Sequence, residues 1–264
     1  MSIISYIIND ATSTAITHLK EFGRGLDLSR RGPKPYEYGT VATPFDDSLL
    51  IHRSEWRARI EEMRERKSFL SDFIRAAKLP PKNQEQTNFC WCNAPVHSLE
   101  IVRAQQGQRQ IILSPASVAC RINGFRNEGG WGKEALQFIT ENGVSPASTW
   151  PANAINRSFD TPANESIARH FRVEEWTELE PRNLDQLVSM LLRRIPVAVG
   201  YNWWSHEVTA VDADWIDGEV AIRIRNSWGN WGDGNGFGIL QGNRRLPDDA
   251  VAPRTATAMN GGAT

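Results

Sequence analysis

The stretch Gln84-Glu85-Gln86-Thr87-Asn88-Phe89-Cys90-Trp91 decides the fold, and two distant runs complete it: Ser205-His206-Glu207-Val208 and Asn226-Ser227-Trp228-Gly229. In chain order they supply a carboxamide, a thiol, an imidazole and a second carboxamide. Such groups can build an oxyanion donor, a cysteine nucleophile, its general base and the residue that orients the base. Cys90 opens a helical pattern, where the helix dipole and free N–H groups favour a thiolate. Taken alone, each residue also has an ordinary role: a buried thiol, or a structural His–Asn hydrogen bond.

Downstream of Ile195 the pattern is that of strands. Val197–Tyr201, His206–Ala213 and Glu219–Arg225 carry alternating or continuous apolar residues. Alternation puts His206 on one face with Val208 and Ala210, and Asn226 on the face of Val220, Ile222 and Ile224. A buried imidazole and a buried carboxamide can satisfy one another. Upstream, helical patterns follow Cys90, span about Ser114–Arg121, and recur at Gly132–Asn142 and Asn183–Arg194. Helices first and strands second make an α+β protein.

The chain has 264 residues, 40% of them hydrophobic and 23% charged, and a net charge of −1. That composition is globular. It argues against a broad nucleic-acid surface, which needs a basic patch, and no apolar run reaches the ~18 residues of a membrane span. The start of the chain lacks the positive region of a secretory signal, and three cysteines are too few for a disulfide framework. A reducing location, intracellular or virion-associated, is therefore expected. Cys90-x-Cys92, with Cys120 and His97, lacks a paired Cys-x-x-Cys knuckle, so neither a metal nor another cofactor is expected.

The N-terminal region reads as an extended arm over 1–53, with Gly23, Gly25, Gly32, Pro33, Pro35, Gly39 and Pro44 punctuating it. An amphipathic helix follows over 54–79, with Ser54 as its cap, Trp56, Ile60, Met63, Leu70, Phe73 and Ile74 on one face, and Pro80-Pro81 as its stop. Residues 80–246 form the main body, and residues 247–264 read as a mobile tail.

In the order of their motifs, residues 80–245 resemble the papain/cathepsin type of cysteine peptidase. The Gln84-to-Trp91 run matches the family's glutamine and nucleophile segment, and Leu113-Ser114-Pro115 the start of its next helix. Gly129-Gly130 matches the glycine pair whose backbone binds extended substrate. Ser205-His206-Glu207-Val208 and Asn226-Ser227-Trp228-Gly229 match the histidine and asparagine segments. The resemblance implies a two-lobed papain-like fold, a helical lobe plus an antiparallel β-barrel-like lobe, with the site between them. It implies that Cys90 is the nucleophile, His206 the base and Asn226 its orienter. Gln84 would be an oxyanion donor, Trp228 a shield, and Trp91, Gly129 and Gly130 supporting or substrate-binding residues.

The chain departs from the family pattern at Thr87, Asn88 and Phe89, where a cysteine, a small residue and a serine-like residue would be usual. Pro95 sits inside the helix that Cys90 begins, where a kink is expected. His206 follows Cys90 by 116 residues, somewhat early against the family's spacing of about 130–150. Two functions follow from these observations. One is an endopeptidase acting on protein or peptide substrates through a thioester. The other is a papain-fold structural or interaction protein, such as a phage or virion component, docked through its arm. Residues 1–79 are either a removable propeptide or that permanent arm, and occupancy of the cleft separates the two.

Overall fold

A computed structural model of the protein describes residues 6–19, 21–30 and 42–258. The expectations for Gly32, Pro33, Pro35 and Gly39, and for the end of the tail from residue 259, lie outside them. In chain order the elements are β1 (Ile7–Ile8), α1 (Ser13–Thr17), β2 (Ala42–Pro44), α2 (Arg53–Glu65), α3 (Leu70–Ala76), α4 (Cys90–Gln105), α5 (Pro115–Asn123), α6 (Gly132–Asn142), α7 (Pro162–Ala168), β3 (Val173–Glu178), α8 (Leu184–Leu192), β4 (Val197–Tyr201), β5 (His206–Ile216), β6 (Glu219–Arg225), β7 (Phe237–Leu240) and β8 (Asp249–Ala256).

The strands form one eight-stranded sheet in the order β1-β7-β6-β5-β4-β8-β3-β2. Neighbours are antiparallel except at the two edges, where β1 lies parallel to β7 and β2 parallel to β3. The N-terminal segment thus covers both sheet edges, whose unpaired N–H and C=O groups would otherwise be open. β4 shows how the sheet divides the interior. Val197, Val199 and Tyr201 enter a core with Leu187, Leu191 and Val208, while Ala198 joins one with Trp91, Val96, Leu99, Leu136 and Val251. Side chains alternate across a strand, so β4 serves the helix α8 side with one face and the α4 side with the other.

The helical expectations hold at α5 and α6. Ser114 caps α5, accepting the Ser117 N–H, and Gly124 closes it at φ 63°. The single helix expected over 54–79 is two. Lys67 takes φ 50°, Ser68 donates back to Met63 O at 2.9 Å, and α3 restarts with the Asp72 carboxylate accepting the Phe69 N–H. The buried Asp212 carboxylate draws α3 into place by accepting the Leu70 N–H at 2.7 Å. His52, not Ser54, caps α2. Pro95 does not interrupt α4, which runs through it from Cys90 to Gln105.

The C-terminal segment corrects the expected mobile tail. Residues 249–256 are β8, an interior strand between β4 and β3. Nor is the N-terminal arm merely extended, because β1, α1 and β2 lie within it. Trp56 and Ile60 of α2 are buried in the core that holds Leu187, Val199 and Val208. Ile60→Ala should therefore cost about 2–5 kcal/mol of folding stability. Denaturant unfolding checks this, and a loss below ~1 kcal/mol would mark α2 as appended rather than built in.

Candidate active site

Cys90 is the first residue of α4, so helix geometry leaves its own N–H without an intrahelical partner. Phe89, Cys90 and Trp91 are wholly buried. β5 begins at His206 and β6 ends one residue before Asn226, which places imidazole and carboxamide side by side at the end of adjacent strands. His206 Nε2 lies 2.8 Å from Asn226 Oδ1, as the alternation of the two strands led us to expect. Trp228 packs over that pair, its ring 4.6 Å from the imidazole, and Trp204 meets His206 edge-on at 4.8 Å. Trp203 stacks on Trp204 in turn, at 5.3 Å.

Gln84 is held from both ends. Its Oε1 accepts the Ser227 hydroxyl at 2.5 Å, and its Nε2 donates to Thr87 O and to Gly23 O, each at 2.8 Å. Cys90 Sγ accepts the Gly25 N–H at 3.2 Å, and the Glu207 backbone N–H also faces it. Sequence alone did not show that this sulfur and this carboxamide would be engaged by the chain's own residues 23 and 25. No hydrogen bond joins Cys90 to His206 among the described residues, and none reaches His206 Nδ1.

Residues 21–30 form a strap across the cleft. Gly23 N donates to Glu85 O and the Gln86 side chain to Glu21 O. Gly130 N donates to Gly25 O at 2.7 Å, and Asp27 N to Gly130 O at 2.8 Å, so Leu26 pairs parallel to Gly130. Gly130 thus pairs with a backbone segment of this chain, while Gly129 O accepts the Arg30 side chain. Arg30 anchors one end, donating to Asn123 Oδ1 and Gly129 O, while its guanidinium lies 6.0 Å from the Trp91 ring. At the other end Phe22 stacks on Trp228 at 4.8 Å, and Arg24 donates to the carbonyls of Ile16, Thr17 and Leu19 at the end of α1.

Burial sets the electrostatics, and the Gly25 N–H on the sulfur works against it. Burial, with help from the Glu207 carboxyl, pushes the Cys90 thiol up to about 12. Burial lowers His206 to about 3, against the raising effect of its bond to Asn226, and Arg24 lowers it further. Burial thus favours the neutral forms of both groups, thiol and imidazole. Glu207, beside them, is also wholly buried, and burial and then Asp249 hold its carboxyl well above the usual range. Neither Glu207 nor the strap was singled out from sequence. Nothing in the pattern marks out Glu207, because Asp212 and Asp214 share its strand; for the strap the signal was the Gly23-x-Gly25 spacing.

Behind the site a buried network ties the lobes together. Lys82 bonds Glu100 at 2.5 Å and Leu113 O at 2.9 Å, His97 faces Glu100 at 3.3 Å, and Arg225 reaches His97 at 3.2 Å. His97 is a packing histidine. Cys90, Cys92 and Cys120 are all free thiols.

Residues 74–211 match the family model described as papain family cysteine protease. The chain belongs to the papain family. Cathepsin L 2 of Paramecium tetraurelia is 27% identical over 173 residues, which are 58% of this chain and 52% of that protein. Chymopapain of Carica papaya is 27% identical over 180 residues, 60% of this chain and 51% of that protein. The chain thus spans about half the length of these relatives. Among solved structures, the bromelain protease from Ananas comosus in complex with the E64 inhibitor aligns with 71% of this chain and 97% of its own, at 21% identity and TM-score 0.58. The recombinant stem bromelain precursor aligns with 95% of this chain and 83% of its own, at 17% identity and TM-score 0.63. The α+β, papain-like fold expected from the motifs is the fold of this member.

Proposed function

We propose that the protein is a cysteine endopeptidase of the papain type, held latent by its own residues 21–30. The observation that carries this is the placement of Gly23 O on Gln84 Nε2 and of the Gly25 N–H on Cys90 Sγ, so that the strap sits on both the oxyanion donor and the nucleophile. A segment lying through the cleft favours latency over the alternative of an arm that docks onto an assembly. The substrate would be an extended peptide, paired with the backbone of Gly130 after the strap leaves.

With the strap displaced, water and substrate reach Cys90 and His206, and the thiol passes its proton to His206 Nδ1 as it attacks. Asn226 keeps the ring oriented through Nε2. The thiolate attacks the scissile carbonyl carbon, and Gln84 Nε2 with the Cys90 backbone N–H would hold the oxyanion. His206 then gives its proton to the leaving amine, which departs as the acyl-thioester forms. Water, deprotonated by His206, attacks the thioester, and the carboxylic acid product leaves the thiol free.

The test is covalent labelling of Cys90 by E64, the inhibitor carried by the bromelain structure, read by mass spectrometry together with peptide cleavage. Labelling at Cys90 in a strap-displaced variant, abolished by Cys90→Ala, is the expected result. A folded, strap-displaced sample that neither labels nor cleaves would overturn the proposal.

A further inference from the structure

The buried network behind the site holds more positive charge than negative. Lys82, Arg103 and Arg225 are all buried, and the carboxylate that faces all three is Glu100. Glu100 is already engaged. Its Oε1 accepts from Lys82 Nζ and from the Leu113 N–H, and its Oε2 faces His97 Nδ1. Arg225 donates to Asn235 O and Leu79 O and reaches His97 Nε2. His97 adds no charge at neutral pH, because burial holds it down to about 4. Asp233, beyond Arg225, is paired with Arg75.

Arg103 lacks such partners. It lies in the last turn of α4, 2% exposed, and its Nη1 and Nη2, both shielded from solvent, meet no acceptor among the described residues. The Phe171 ring lies over the guanidinium at 4.7 Å, which attracts the cation without supplying a counter-charge. Burial lowers the Arg103 guanidinium from its ordinary value, and Glu100 offsets only part of that. A buried cation is costly without an anion to accept its N–H groups.

Arg103 also lines a small cavity, with Leu79 and Glu100 on its buried side and Arg109, Gln110 and Ile112 exposed on the other. The free volume is about 10 Å³, room for the centre of one water-sized sphere. A water molecule would accept an N–H but leave the charge unmatched. Sulfate, phosphate and carboxylates exceed the space. Since Lys82 meets the charge of Glu100, the unmatched charges on the wall are Arg103 and Arg109.

We propose that this cavity is a halide site, in which the Arg103 guanidinium holds a chloride ion and Arg109 adds positive charge from the exposed side. The ion links the end of α4 to the segment 109–112 and so stabilises the fold. No residue of the Cys90–His206 site takes part, so the assignment stands or falls apart from the endopeptidase proposal.

The test is thermal unfolding of the full chain at pH 7 as sodium chloride replaces sodium gluconate at constant ionic strength. Arg103→Met, which keeps a long side chain beside Phe171 and removes the charge, is titrated in parallel to cancel general salt effects. Chloride should raise the melting temperature of the unsubstituted chain, saturably and by at least about 3 °C more than that of Arg103→Met. Bromide should do the same. Equal responses in the two chains would overturn the assignment, and an equal differential gain in sodium sulfate would overturn the choice of a halide. If Arg103→Met does not fold, bromide-soaked crystals of the unsubstituted chain decide. An anomalous peak is expected at hydrogen-bond distance from Arg103 Nη1 or Nη2, and its absence there would overturn the site.

Discussion

Gly25→Ala is expected to raise the rate of Cys90 labelling by E64 at pH 7 by about a thousandfold. The new Cβ would lie 1.9 Å from the carbonyl oxygen of Asn88, a backbone atom that cannot step aside without disturbing the start of α4. The strap must therefore leave. Its departure opens the sulfur to water and removes the lowering Gly25 N–H bond with it; full exposure takes the thiol from about 12 to its ordinary 9.0. At pH 7 both lie well above the solution pH, so three units convert to about 10³ in thiolate population, before any pairing with protonated His206 adds to it. Gly23→Ala should act alike, because its Cβ would lie 2.0 Å from Thr87 O. The fold should survive both changes. The strap glycines are in neither hydrophobic core, and β1 and β2 still hold the segment to the sheet edges on either side. Labelling no faster than in the unsubstituted chain, at an unchanged melting temperature, would show that the strap is not what keeps the thiol inert.

These two glycines mark where the sequence is hard to read. Around Cys90 the local patterns agree with one another: a helix-opening position, period-two strands ending at His206 and Asn226, and motifs in family order. The α+β body and the His206–Asn226 contact could be anticipated from them. The strap has no periodicity to read, because it is held by backbone hydrogen bonds to Glu85, Gly130 and Ser205 that leave no mark on side-chain pattern. β8 was hidden for a different reason. Asp249-Ala-Val-Ala-Pro-Arg-Thr-Ala256 has small residues on both faces and a proline within it, which resembles a tail more than a strand. Pro253 is tolerated at its place opposite Trp176, next to a register shift in the β3 ladder. The break between α2 and α3 turned on Lys67 adopting a left-handed conformation, which its residue type does not announce. Glu207 could be placed on its strand face by alternation, but its position opposite Gly200 could not be read.

The closed strap should also show a plateau of stability between about pH 4.5 and 6.5, with losses on both sides. His206 is depressed from 6.5 to about 3 when covered. A depressed histidine favours the closed state fully above 6.5, and that advantage falls away as pH drops toward 3, because the opened imidazole takes up a proton that the covered one refuses. Glu207 is raised above its ordinary 4.5, so its contribution is complete below 4.5 and is lost as pH climbs toward its raised value. Each effect amounts to about 1.4 kcal/mol per pH unit, or tenfold in the open population. Between 4.5 and 6.5 the two slopes are equal and opposite, which leaves the balance flat. Above 9.0 the thiol adds a second alkaline loss in the same direction as Glu207. The Gly25 amide, bonded to the Cys90 sulfur, reports the equilibrium through its hydrogen-exchange protection, corrected for intrinsic exchange. Protection should fall about tenfold per unit below 4.5 and above 6.5. His206→Gln should remove the acid limb, and Glu207→Gln the loss between 6.5 and 9. A protection profile that is monotonic in the unsubstituted chain would mean that one of these groups stays dry after the strap has left.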